Sequence, residues 1–307
     1  MLKRIVIFLT LITPVFSGAS FLALSTDARA EALGGPDWCG NANCAADGHE
    51  GENEIETKEQ YIEGGEHILP DGFSLSSLSL RVIRSRITIG MRGSFQHYIG
   101  LNITDDTLAA RNILGALNAS LPLIHGLRIG AECAVAVSRL GEIRTWTPLF
   151  SVGMVSQNGP VTLGVTGRHL AGRWRWEGGR EWQNPELAAG FQYRHAIPSR
   201  LITGLRIQAG WSITPDLYYR QRTGAHAFDR AADLASAGLE LTIGQKAKAG
   251  SLHIFPRAGL ALPDSDPTLL RPRLGLGVSC GPIDISWAAS RLVGDGWAHL
   301  ATVALRK

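Results

Sequence analysis

Nine arginines offer the plainest chemistry in this sequence. Arg84, Arg86, Arg128, Arg144, Arg168, Arg194, Arg206, Arg257 and Arg273 each stand opposite the apolar residues of an alternating stretch. A guanidinium group is permanently charged and presents five N–H donors in a fixed fork. A wall carrying many of them attracts carboxylates, phosphates or an acidic segment of the same chain. Two arrangements are open on these residues alone. The wall lines an open conduit, or the arginines pair with Glu132, Glu240 and their neighbours in a packed interior.

Other groupings carry less. The loop at 215–233, PDLYYRQRTGAHAFDRAAD, gathers Tyr218, Tyr219, Arg220, Arg222 and Phe228, the aromatic and arginine composition of a partner-binding rim. Cys39 and Cys44 lie near His49, but the spacing matches no closed zinc site and lacks a ligand, so a small disulfide loop is expected in an oxidising compartment. Gly277-Val278-Ser279-Cys280-Gly281 spells G-x-S-x-G. A nucleophile elbow must turn a strand into a helix, whereas Gly281-Pro282 leads straight into another strand. His97, His125, His169, His195, His253 and His299 are scattered without a paired nucleophile and acid. Phosphate-loop, EF-hand and H-E-x-x-H patterns are absent. The reading is therefore of a protein that is not an enzyme, with no cofactor, no metal and no nucleic-acid partner.

The elements that must hold the arginines are strands. Residues 271–306, RPRLGLGVSCGPIDISWAASRLVGDGWAHLATVALR, form three alternating runs joined by a Gly281-Pro282 turn and a Gly294-Asp295-Gly296 loop. Leu274, Leu276, Val278 and Cys280 fall on one face of the first run, and Arg273, Gly275, Gly277 and Ser279 on the other. Comparable runs recur back to Val82, thirteen in all. Single-chain bacterial barrels have an even strand number, so fourteen are expected, with residues 73–80 as the first, or else twelve. From residue 157 onward the connections alternate short and long, as an antiparallel up-and-down transmembrane β-barrel requires. An arginine facing lipid at mid-membrane costs about 2–4 kcal/mol, so the nine are expected to point into the lumen.

Composition agrees with an all-β barrel. Charged residues are 19%, Gly occurs 36 times, and mean hydropathy is only +0.04. A bundle of membrane helices would be far more apolar. Lys3 and Arg4 precede an apolar run that ends before Ala28-Arg29-Ala30, so residues 1–30 read as a signal peptide cut before Glu31. Residues 31–72 read as an acidic, Gly-rich leader and 73–307 as the barrel. Between Glu31 and Asp71 eleven acidic residues face Lys58 alone, a net −10. From Gly72 on, 26 Lys and Arg face 15 Asp and Glu, a net +11. The leader is either a solvated tail or a plug drawn onto the basic wall.

The closing run GLGVSCGPIDISWAASRLVGDGWAHLATVAL resembles the last strands of the FadL-type outer-membrane barrels, which include long-chain fatty acid transporters and PorV-like secretion accessory barrels. The resemblance implies fourteen strands, an N-terminal lumenal plug and a place in the outer membrane of a Gram-negative bacterium, among its lipids, after export to the periplasm. Two functions stay open: a porin-like channel or transporter passing small hydrophobic or anionic solutes by the basic lumen, or a closed barrel docking a secretion or surface-assembly protein through the loop at 215–233.

Overall fold

The computed structural model describes residues 28–33, 59–68, 73–84, 87–103, 106–124, 126–140, 143–176, 179–182, 185–199, 201–213, 233–244, 252–263, 270–291 and 296–306. A short helix, α1 (Ala28–Ala32), precedes sixteen strands. These are β1 (Glu59–Ile68), β2 (Phe73–Arg84), β3 (Ile87–Ile103), β4 (Asp106–Ile124), β5 (Leu127–Leu140), β6 (Ile143–Asn158), β7 (Val161–Arg168), β8 (Arg173–Trp176) and β9 (Gly179–Trp182). They continue as β10 (Glu186–Ala196), β11 (Ile202–Ile213), β12 (Asp233–Gly244), β13 (Leu252–Pro263), β14 (Arg271–Cys280), β15 (Ile283–Arg291) and β16 (Trp297–Arg306). Fourteen of them close into one antiparallel barrel, β8 and β9 forming a separate ribbon. The seam is β1 on β16, running from Tyr61 opposite Arg306 to Ile68 opposite His299.

Alternation sorts the two faces. In β6, Thr145, Thr147, Leu149, Ser151 and Val155 are buried, while Trp146, Pro148, Phe150, Val152 and Met154 are exposed. In β16, Ala298, Leu300, Thr302 and Ala304 are buried, and Trp297, His299, Ala301, Val303 and Leu305 are exposed. Leu78 and Leu117 are about 60% exposed (61% and 62%), whereas Gln192 and Glu240 are each at 2%. This inverts the rule for a water-soluble protein and suits a cylinder whose outer solvent is hydrocarbon. Among the described residues no helix is long and apolar enough to cross a membrane.

The connections sort by rim. The pairs β2/β3, β4/β5, β6/β7, β10/β11, β12/β13 and β14/β15 connect at one end, and β1/β2, β3/β4, β5/β6, β7/β10, β11/β12, β13/β14 and β15/β16 at the other. We refer to these as the short-turn and long-loop rims.

Three expectations about the strands change. The first barrel strand is β1, inside the stretch read as leader, so the barrel starts at Glu59 rather than Phe73. Its outward face reads Gln60, Ile62, Gly64, Glu66 and Ile68, too polar to register as a lipid-facing run. Where a strand over 73–80 and a separate run from Val82 were expected, the two long strands β2 (Phe73–Arg84) and β3 (Ile87–Ile103) stand. Alternation in the sequence suggests one strand over 161–176, and it is broken after Arg168. His169 takes a left-handed backbone (φ 54). Leu170 N then donates to Phe150 O at 2.7 Å, and Arg173 N donates to Thr147 Oγ1 at 2.6 Å. The β6–β7 ladder accordingly spans only the pairs from Val152–Gly167 to Asn158–Val161.

Candidate functional site: the barrel interior

Register brings the interior charges into line. Arg194, Arg206, Glu240, Arg257 and Gly275 are successive partners across β10, β11, β12, β13 and β14. All five alternate with outward residues, so they form one inward row. Glu240 is its centre. Arg257 Nε donates to Oε2 at 2.6 Å, and Arg206 Nε lies 3.7 Å from Oε1. Arg29 adds Nη2 to Oε1 at 2.6 Å and Nε to Oε2 at 3.0 Å. A carboxylate buried this deeply keeps its charge only when opposite charges and N–H donors replace the lost water, and these supply both. Arg257 Nη1 continues the network to Ser286 Oγ at 3.0 Å.

The same wall seats α1. Ala32 and Leu33 are 0% and 1% exposed, and Ala32 packs with Ala288 and Leu300. Gln208 Nε2 donates to Leu33 O at 3.3 Å. A Cβ at Gly238 would meet the Leu33 backbone, and one at Gly275 would meet the Ala32 side chain. Glycine at these two places lets the peptide lie directly on the sheet. Further round, Arg92 pairs with Glu132 at 3.3 Å and Arg168 with its cross-strand partner Glu186 at 3.6 Å. Arg128 Nη2 reaches Thr88 Oγ1 at 3.2 Å and Ser120 Oγ at 3.3 Å.

Of the nine arginines, Arg128, Arg168, Arg194, Arg206, Arg257 and Arg273 occupy inward positions. Arg144 does not: it is exposed and shares the outward face with Trp146 and Phe150, at a strand end where a cation escapes the hydrocarbon. Arg84 is the last residue of β2, in register with Ile87. Arg86, Tyr218, Tyr219, Arg220, Arg222, Phe228, Cys39 and Cys44 lie outside the described residues. Among the described residues, inward arginines that were not among the nine include Arg81, Arg92 and Arg271. Arg29 was hidden because it fell in the predicted signal peptide. Among the described residues no three potential metal ligands come together.

No family model and no curated protein matches the chain. Solved structures do. The Ralstonia pickettii toluene transporter TbuX is similar with a TM-score of 0.52 at 10% identity, over 94% of this chain and 99% of that one. The Pseudomonas putida toluene transporter TodX gives 0.50 at 10%, over 90% and 96%. CdiB from Acinetobacter baumannii gives 0.42 at 10%, and the match spans only 60% of that longer chain. In fold, the chain is similar to the FadL-type barrels of the bacterial outer membrane, as its closing strands led us to expect.

Proposed function

We propose that the protein is an outer-membrane transport barrel that passes small hydrophobic or anionic solutes, with its own N-terminal segment seated in the lumen as a removable obstruction. The observation that carries this reading is the seat itself. Ala32 and Leu33 lie on the inner wall against Gln208, Gly238 and Gly275 and are not part of any strand, so they can leave without opening the cylinder. Inward arginines outnumber the inward acids they meet, which favours an anion once the peptide has moved. The similar structures TbuX and TodX are named as toluene transporters, which supports transport by a barrel of this shape and a hydrophobic solute.

Planar-bilayer conductance tests it. The deletion must stop short of β1, since removing residues up to 71 would take a barrel strand with it. A chain lacking residues 31–57 should conduct more than the full chain and favour anions over cations. Equal, negligible conductance in both, with no solute uptake into liposomes, would sink the transport reading.

A further inference from the structure

The seam strand β1 turns a carboxylate toward the lipid. Tyr61, Glu63, Gly65 and His67 alternate inward on it, and Ile62, Gly64, Glu66 and Ile68 outward. Among the wall acids whose side chains are described, Glu63, Glu132, Glu186, Glu240 and Asp284 occupy lumenal positions. Glu66 alone faces out, and it is exposed. Its polar contact among the described residues is its register partner on β2, Ser76, whose Oγ donates to Glu66 Oε2 at 2.5 Å. That bond fills one of about four acceptor positions on a carboxylate.

Its depth makes this costly. On β16 the partner of Glu66 is Ala301, four residues from outward Trp297 at the long-loop end and four from outward Leu305 at the other. At ~3.3 Å per residue and a tilt of ~40°, four residues rise ~10 Å, so Glu66 stands near the middle of an apolar band ~25 Å tall. Acyl chains offer it no donor there, and ionisable groups at such depth face a protein partner. A second polar group lies one step higher on the same face. His299, the partner of Ile68, is exposed on β16 with its ring stacked on Trp287 at 5.9 Å. Within the chain neither bonds the other.

The outward surface around the pair is low. Gly64 on β1, Ser74 and Ser76 on β2, Ala289 on β15 and Ala301 on β16 are all small, so another wall can approach closely. We infer that the β1–β16 seam is a contact face for a second copy of this chain, related by a two-fold axis along the membrane normal, with Glu66 of each copy accepting a hydrogen bond from His299 of the other. The occupant follows from self-complementarity. A two-fold sets residue i on residue j and j on i, and this face carries both members of one acceptor–donor pair. His299 stands two residues, ~5 Å, above the level of Ala301, so the second copy brings its donor to the depth of the carboxylate. A helix of some other protein would have to supply that donor itself.

The test is sedimentation equilibrium of the full chain in a mild detergent, with native mass spectrometry to identify what sediments. Wild type should form a dimer of this chain alone. Glu66→Leu and His299→Leu should each raise the dimer dissociation constant about tenfold. The double variant should lose little more than either single one, because both remove the same contact. Gly64→Trp, whose Cβ would meet Ser77 O at an ordinary 3.9 Å, adds bulk to the seam and should also give monomers. Heat-shifted migration on gels confirms that each barrel is closed, and a variant that fails this check is replaced by Gly64→Trp. A monomeric wild type overturns the proposal, as does wild-type dimerisation in Glu66→Leu or Gly64→Trp, or a different protein bound at the seam in place of the second copy. The contact lies outside the cylinder, so the result stands apart from whether the lumen conducts.

Discussion

Arg29 and Glu240 lie 211 residues apart in the chain, yet Arg29 Nη2 stands 2.6 Å from Glu240 Oε1 inside the barrel. The contact joins a segment expected to be removed with the signal peptide to the centre of the interior charge row. Cutting before Glu31 would take Arg29 away and leave Ala32 and Leu33 to keep their seats. Intact-mass measurement of protein from membranes should give a chain beginning at Glu31. A chain that retains Arg29 would make the ion pair permanent and move the processing site.

Glu240 keeps Arg257 and Arg206 in either case. Glu240→Ala leaves buried guanidinium groups without that carboxylate, a loss of about 3–5 kcal/mol for a broken buried pair. Thermal unfolding in detergent should fall accordingly. A shift no larger than that of an outward substitution such as Ser156→Ala would show that the row is not structural.

The sidedness of the wall is open to a paired test. Leu276 faces outward near the middle of β14, and Ser279 faces inward beside Asp284. Leu276→Arg should cost about 2–4 kcal/mol, as for a cation at the bilayer midplane. Ser279→Arg gains Asp284 as a neighbour and should cost under ~1 kcal/mol. Folding yield into liposomes measures both, and the opposite ranking would reverse the assignment of the faces.

Gly238→Leu removes the clearance that lets Leu33 lie on β12. The N-terminal segment should leave its seat while the barrel stays closed. The expected results are faster proteolysis ahead of Glu59 and raised bilayer conductance, with heat-shifted gel migration unchanged.

Much of this was readable from alternation. The parity of Leu274, Leu276 and Val278 against Arg273, Gly275 and Gly277 fixes the faces of β14, and the sorting of connections after residue 157 fixes the rims. Parity fails where a turn of two residues is silent. No Gly or Pro marks residues 85–86, so the boundary between β2, ending at Arg84, and β3, starting at Ile87, was not read. It fails again in β1, whose lipid-facing side holds Gln60 and Glu66, and Glu66 is met there by Ser76 Oγ at 2.5 Å. The seat of α1 could not be read at all. It depends on glycines in β12 and β14 meeting a peptide more than 200 residues upstream, and period-two patterning carries no information about such contacts.

The pairing of β1 with β16 also has a kinetic side. Residues 59–68 are synthesised more than 200 residues ahead of their final partner, 297–306. Until then the growing sheet is a curled ribbon with two raw edges, each able to zip onto a neighbouring chain. Closing a loop of such length is entropically slow. Removing residues 297–306 would leave β1 and β15 as unpaired edges, open to a neighbouring chain.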